Sequence, residues 1–465
     1  MAKFPFGSSL TAAADLRHEL SLKRLADTFE TSLARSSVSG RDGMTPTNFY
    51  ANIRDHSQVV RRKVANETYR FRAYKEHLIL KGAGKAPRVL SIPTVRDRLV
   101  LKLLSKIVAR QFPSARTPLA PAMIAELTRV LESSNLDSFI RIDVEDFYPS
   151  IRHDLVMKNI KRRIKSKKIL SLVLSAIRAP TYPVGPVPLQ YCNVRGVPQG
   201  LAVSNVLAEL SMTDFDSTFA GRRDVRYFRY VDDVLILCSA DAQTSLQKEA
   251  VELLSTMGLS AHPFTPGSKS AIGRTADKFD FLGYVFEWPR IGVRSTSIAK
   301  LEDSIVKVFT AYRKYVEKNR SAAQALRALK RCELRVNLKI TGCVFENSRR
   351  GWISYYSQIR NQKLLKHLDS YTAMQMRRFG LESAFELKSF TKAQRYAAKG
   401  ALDISGFVPN FDDMSADETR KVLDEYFLME PRLLAQMPDN DVMDVFKRKM
   451  HKLVVELERD VQARY

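Results

Sequence analysis

The chain has 465 residues, 45% of them hydrophobic and 27% charged, which describes a globular protein with room for two to four packed units. Lysine and arginine number 75 against 50 aspartate and glutamate, and the formal net charge of +25 favours a polyanionic partner, most often nucleic acid. Cys192, Cys238, Cys332 and Cys343 lack CxxC spacing, and the seven histidines are scattered, which argues against a zinc finger or a disulfide framework. No apolar stretch reaches transmembrane length and no secretion-signal core is seen, so a cytoplasmic protein without a membrane partner is expected.

In chain order, residues 10–35 have helical spacing through Leu10, Leu16, Leu20, Leu25 and Phe29. A turn at Gly40-Arg41-Asp42-Gly43 follows. Residues 69–93 alternate as a β-hairpin whose tip is Lys81-Gly82-Ala83-Gly84-Lys85. Thr94 is placed to cap a helix with an apolar face of Leu99, Val100, Leu103, Leu104 and Ile107. Next comes a strand ending on Asp143, then a basic helical stretch over 158–168 with seven lysines and arginines, then a Pro-rich loop at 180–188. Gly196 to Gly200 form a turn before a helix with Val206, Leu207 and Leu210. A hairpin carries Asp232 and Asp233, a helix spans about 241–257, and 279–286 reads as a short strand pair. Beyond about 297 the pattern is helical, with one face of Ile305, Val308, Phe309, Tyr312 and Val316 and another of Val442, Val445, Phe446, Leu453, Leu457 and Val461. Ser415-Ala416-Asp417-Glu418 has capping-box spacing.

The chemistry is concentrated in three acids. Asp232 and Asp233 stand between Tyr230-Val231 and Val234-Leu235-Ile236-Leu237, and Asp143 ends an earlier apolar run. Burying adjacent carboxylates is costly unless cations offset their charge. Carboxylates from separate strands that meet at one point suit two-metal phosphoryl transfer, in which the ions activate a primer hydroxyl and steady the leaving pyrophosphate. The seven-charge run suits salt-dependent contact with a nucleic-acid backbone, and equally a solvated helix face.

Several blocks, in order, resemble reverse transcriptases, and more narrowly the bacterial group of retron, group II intron and phage-defence enzymes. Arg88 to Pro93 with Asp97-Arg98 resembles the fingers segment, and Asp143 to Ile151 the first catalytic block. Gly196-Val197-Pro198-Gln199-Gly200 with Ser204-Asn205 resembles the nucleotide-contacting block. Tyr230-Val231-Asp232-Asp233 is similar to the signature tetrapeptide, Gly258-Leu259 with Lys269 to the following block, and Phe281-Leu282-Gly283 to the primer grip. The likeness covers about residues 40 to 360.

The resemblance implies an α+β right-hand polymerase fold of fingers, palm and thumb followed by an all-α C-terminal extension. It implies an N-terminal helical segment over 1–39, fingers and palm over 40–290, a thumb over 291–375 and the extension over 376–465. It implies catalysis by Asp143, Asp232 and Asp233, with these and Val144 holding two Mg²⁺ ions. Lys81, Lys85, Arg88, Tyr148, Gln199, Gly200 and Lys269 would bind the deoxynucleotide triphosphate, Tyr148 by excluding a ribose 2′-hydroxyl and Lys269 as general acid. Tyr230, Phe281, Leu282 and Gly283 would touch primer and template, and Trp352 suits a core position as well as a contact.

The absence of a Cys/His nuclease module argues against a mobile intron protein, Ser204-Asn205 differs from the Ser-Gln of diversity-generating enzymes, and the helices beyond the thumb resemble the extension of abortive-infection and defence enzymes. That implies antiphage DNA synthesis with a structured non-coding RNA, and self-association through the C-terminal helices. Alternatives are a retron-type enzyme making RNA-linked DNA and a protein-primed or untemplated polymerase, for which Tyr465 is a conceivable primer.

Overall fold

The structure, a computed structural model, describes residues 11–34, 36–80, 84, 86–186, 192–318, 321–399 and 406–461. Lys81, Lys85 and Tyr465 lie outside the described residues. The chain divides into two compact units. The first holds the residues up to Pro118 and Ser138–Ile272, and the second holds Leu119–Asp137 and everything from Gly273 onward.

In the first unit, the helical spacing at the N-terminal end appears as two helices, Ala12–Glu19 and Leu22–Ser32, the first capped by Thr11. The hairpin forms with strands Tyr74–Ile79 and Arg88–Ile92, antiparallel, Lys75 facing Ile92. Thr94 accepts the Asp97 amide at the start of the Val95–Gln111 helix, and Leu99, Val100, Leu103, Leu104 and Ile107 are all buried. A four-stranded sheet supplies the floor of the unit. Its centre is the strand Asp233–Cys238, flanked by Arg226–Tyr230 and Ser138–Asp143, both antiparallel to it. Val234, Leu235, Ile236, Leu237, Ile140 and Ile142 are buried, as expected of a strand covered on both faces. The helix Ala240–Thr256 returns along the Ser138–Asp143 strand, where Gln243 donates to the Phe139 carbonyl.

The basic stretch over 158–168 is not one helix. The helix His153–Lys161 stops, Ile164 turns inward to full burial, and a new helix starts at Lys167. Its charges are partly engaged: Lys158 and Arg162 pair with Asp214 at 3.3 and 2.9 Å, and Lys168 lies 3.9 Å from Glu67.

The second unit combines a three-stranded antiparallel sheet, Phe279–Phe281, Tyr284–Glu287 and Arg290–Val293, with helices. The helices Ser295–Val316 and Ala322–Thr341 pack on each other. Trp352 is buried, and its indole donates to Ser297 Oγ at 3.2 Å. Ser415 and Glu418 form the expected capping box on the helix Ala416–Phe427. The long helix Asp439–Val461 buries Val442, Phe446, Met450, Leu453 and Leu457. It is pinned to Ala322–Thr341 by Arg335–Glu456 and by the buried Lys339–Asp460 pair, and Arg350 meets Glu458 at 2.8 Å. A small hairpin, Cys343–Phe345 with Ser348–Arg350, interrupts the helices. It needs glycine at both ends. A Cβ on Gly342, φ +66°, would sit 2.1 Å from the Arg350 carbonyl, and one on Gly351, φ +106°, 2.8 Å from the Gly342 Cα.

Gly342→Ala is therefore expected to destabilise the protein by about 2–5 kcal/mol, from strain plus overlap. Gly43→Ala, at φ +69° with no atom within 4 Å, should cost only about 1 kcal/mol. Chemical denaturation of both variants checks the contrast.

Candidate active site

Antiparallel register sets the site. Asp143 is the last residue of its strand and lies directly opposite Asp233, the first of the central strand. On the other side Tyr230 pairs with Asp233, so Val231 and Asp232 form a two-residue hairpin loop. Val231 has φ +59°, a conformation that a β-branched residue adopts only under constraint. Asp143, distant in sequence, thus meets Asp232 and Asp233 at one end of the sheet.

The meeting is electrostatically unfavourable, and Asp232 records it. Burial, and then the neighbouring charges of Asp233 and Asp143, push its carboxyl from 3.8 up to about 7. Asp143 has cationic or polar company. Lys269 Nζ is 2.9 Å and His262 Nε2 3.2 Å from its Oδ1, while His262 Nδ1 faces Glu145 Oε1 at 3.1 Å. The chain after Gly258 is held there by backbone pairing. The His262 amide donates to the Asp143 carbonyl, the Glu145 amide to the Ser260 carbonyl, and Val144 bridges Ala261. Arg141 donates twice to the Lys269 carbonyl, and the Asp143 amide donates to Ser270 Oγ at 3.2 Å. Val144 itself is buried.

The acid-bearing loop is anchored from behind by Arg229. Its guanidinium, 7% exposed, donates to Asp216 Oδ1 and Oδ2 at 2.7 and 2.6 Å, to Glu209 Oε2 at 2.7 Å and to the Val231 carbonyl at 2.9 Å. Burial alone would lower its pKa; the Asp216 hydrogen bonds and the Glu209 charge more than reverse that. Tyr227 donates to Asp216 and Thr117 to Glu209, which completes the network. The strained Val231 carbonyl is thereby held from the helices Ser204–Ser211 and Thr213–Phe219.

Tyr148, on the short helix Phe147–Ser150 just past Asp143, is half-buried. Burial, and then the charges of Asp232 and Glu209, raise its phenol pKa, while Arg88 acts in the opposite sense. The Gly196–Gly200 loop is strapped beside it. The Val197 amide donates to the Tyr148 carbonyl and the Gly196 amide to the Ile151 carbonyl, both at 2.8 Å. The Gln199 carbonyl accepts the Ser91 amide at 2.7 Å on the hairpin strand that begins with Arg88. Gly200, φ +99°, faces the Ser91 carbonyl so closely that a Cβ would stand 3.0 Å from it. Asp143, Asp232, Asp233, Tyr148, Gln199, Gly200, Arg88, Tyr230 and Lys269 thus all belong to the first unit. Phe281, Leu282 and Gly283 belong to the second, at a turn where Leu282 has φ +51° and Gly283 packs under the Tyr356 hydroxyl.

His262, Arg229, Glu209 and Asp216 are absent from the sequence reading. Arg229 left one trace, a charge inside an apolar strand run. His262 left none, because a lone histidine has no spacing to read.

The donor set fits a hard divalent cation by chemistry: three carboxylates, one of them destabilised as an anion by its neighbours. Among the described residues no three His, Cys, Asp or Glu side chains already stand at metal-ligand spacing, so the fit is one of donor type and charge, not of a preformed cage.

Residues 79–286 match the family model described as reverse transcriptase (RNA-dependent DNA polymerase). This segment is a reverse transcriptase domain, and the enzyme class is RNA-directed DNA polymerase, a nucleotidyltransferase. That segment is mixed helix and sheet, and the chain from Ser295 onward is predominantly helical. Among curated proteins the chain is similar to Protein YkfC of Escherichia coli (strain K12), 25% identical over 290 residues, covering 53% of this chain and 74% of that protein. It is also similar to the putative COX1/OXI3 intron 1 protein of Saccharomyces cerevisiae, 25% identical over 197 residues. That match covers 40% of this chain and 23% of the yeast protein, so the chain spans less than a quarter of the latter. Among solved structures, telomerase from Candida albicans in complex with a fragment of telomeric RNA aligns with a TM-score of 0.40 at 12% identity, covering 83% of this chain and 69% of that one. Apo telomerase from Candida tropicalis, truncated from its C-terminal domain, gives a TM-score of 0.36 at 15% identity, over 48% and 55%. Among the described residues no helix is long and apolar enough to cross a membrane.

The raised Asp232 pKa has a defined pH signature. The native carboxyl keeps its proton from about 3.8 up to about 7, so its burial destabilises the metal-free protein increasingly as pH rises through that window. A divalent ion must displace the proton. Mn²⁺ affinity, followed by the EPR signal of free ion, is expected to fall below about pH 7 by up to about tenfold per unit, and to lose most of that dependence in Asp232→Asn.

Proposed function

We propose that this chain is a template-directed DNA polymerase that uses two Mg²⁺ ions held by Asp143, Asp232, Asp233 and the Val144 carbonyl. The observation that carries the reading is the pairing of Asp143 opposite Asp233 with Asp232 in the adjoining loop. Ions held by these residues would supply Lewis-acid activation of the primer hydroxyl and charge neutralisation at the pyrophosphate.

The chain's own groups do the rest. Tyr148, beside the acids, presents a ring where a ribose 2′-hydroxyl would stand and so selects deoxynucleotides. Arg88, joined by Lys81 and Lys85, takes the triphosphate, for which a guanidinium offers a bidentate contact. Gln199 and the Gly200 backbone abut the new base pair. Lys269, whose ammonium already reaches this site, donates a proton to pyrophosphate. Tyr230, Phe281, Leu282 and Gly283 steady the primer and template. The fingers and palm lie over 40–290, the thumb over 291–375 and the extension over 376–465, with a helical segment ahead of them.

The double substitution Asp232→Ala with Asp233→Ala is expected to abolish Mg²⁺-dependent deoxynucleotide incorporation on a primed RNA template. Retention of parental activity would refute the assignment. Tyr148→Ala should raise use of ribonucleotides relative to deoxynucleotides by about tenfold or more, read as a ratio of kcat/KM values.

We further infer a role in antiphage defence in bacteria, with a structured non-coding RNA as template or partner. The net charge of +25 and the helical region beyond the polymerase fold support it. Sequencing the nucleic acid that copurifies with the protein, before and after phage challenge, is expected to recover one defined RNA and DNA copied from it. A random sample of cellular RNA with no DNA product would refute this reading.

A further inference from the structure

The hydroxyl of Tyr148 donates to Asn205 Oδ1 at 3.0 Å. Asn205 is exposed and lies in the first turn of the Ser204–Ser211 helix. Its position is fixed by its neighbour, because Ser204 Oγ donates to the Pro198 carbonyl at 2.6 Å and ties the helix start to the loop carrying Gln199 and Gly200. That loop in turn donates to the Tyr148 carbonyl through the Val197 amide. Phe147 lies against the ring at 5.6 Å in an edge arrangement. Tyr148 is only half-buried, so core packing covers the residue in part.

We propose that Asn205 is a specificity-positioning residue: its amide oxygen clamps the Tyr148 hydroxyl and so sets how strictly the ring excludes a ribose 2′-hydroxyl. The inference rests on the proposed sugar-selecting role of Tyr148. A side chain that discriminates by bulk works only while it stays in one rotamer. A ring anchored solely at Cα and Cβ can swing aside for the extra oxygen. A hydrogen bond at its far end resists that swing with the longest lever available. Because the hydroxyl donates to Asn205, it is also committed away from the substrate, so the ring acts as a wall and not as a hydrogen-bond partner of the sugar. Asn205 touches no reacting atom in this account and acts wholly through Tyr148.

The test is a double-mutant cycle on the ratio of ribonucleotide to deoxynucleotide kcat/KM, which a general loss of folded enzyme does not move. Asn205→Ala is expected to raise the ratio about fivefold, the equilibrium factor of one hydrogen bond. Tyr148→Phe, which keeps the ring and removes the hydroxyl, should raise it by a similar factor. The double variant should be no more permissive than either single one. Tyr148→Ala, which removes the wall itself, should exceed all three. If Asn205→Ala leaves the ratio at the parental value while Tyr148→Ala raises it, the clamp is refuted and the wall stands. If the effects of Asn205→Ala and Tyr148→Phe multiply, or if Tyr148→Phe is silent while Asn205→Ala is not, Asn205 acts by another route and the proposal falls. If Tyr148→Ala leaves the ratio unchanged, the reading of Tyr148 fails, and the clamp fails with it.

Discussion

Mutual repulsion among three carboxylates is the constraint around which the first unit is organised. Sheet register forces Asp143 and Asp233 face to face, and the hairpin loop adds Asp232 beside them. Left to itself such a cluster would splay apart or protonate, and Asp232 is halfway to the second outcome at neutral pH. The surrounding structure prevents the first. The strands that carry the acids are buried along their length, so the backbone has no freedom to relax. Lys269 and His262 approach from a loop that is itself hydrogen-bonded to the strand end it serves.

Positive charge is used in two distinct ways. Lys269 is exposed and adjustable, on a flexible stem that is free to exchange partners. Arg229 is buried and fixed, its planar fork divided between two helices and a backbone carbonyl. A buried ion network of this kind is a weak source of net stability and a strong source of geometric definition. Here the definition is delivered to Val231, whose unfavourable backbone conformation turns the chain sharply enough to present two successive acids. The Gly196 and Gly200 positions have a similar logic, since close approach of backbone to Pro149 and Ser91 leaves no room for a side chain.

What was legible in the sequence follows from locality. Thr94 and Ser415 each sit three residues from their hydrogen-bond partners, so a short motif sufficed. The 74–92 hairpin and the Asp232-Asp233 hairpin were visible as alternation around a tight turn. The convergence of Asp143 on that hairpin was reached by chemical argument, because period and propensity say nothing about which strands pair. The break in the basic run was hidden, since Ile164 is a single apolar residue among lysines and arginines and its burial is decided by tertiary packing. Arg229 was invisible as an anchor because its acidic partners are in other elements. The placement of His262 and Lys269 depends on the backbone of 260–262 pairing with 143–145, a long-range register that no local pattern encodes.

The chain enters the second unit twice. Leu119–Asp137 leaves the first unit, contributes the helix Ala120–Ser133, and returns before the acid-bearing sheet begins. In the second unit that helix packs against the Trp352–Tyr355 helix, and its Glu132 pairs with Arg360 at 2.7 Å. The two units are therefore threaded through one another in sequence, and no single scission separates them. A fragment stopped at residue 272 would keep the whole acid cluster. It would also carry an orphaned helix whose Ile124 and Leu127, buried in the full protein, are stripped of their packing partners and turned into a sticky surface.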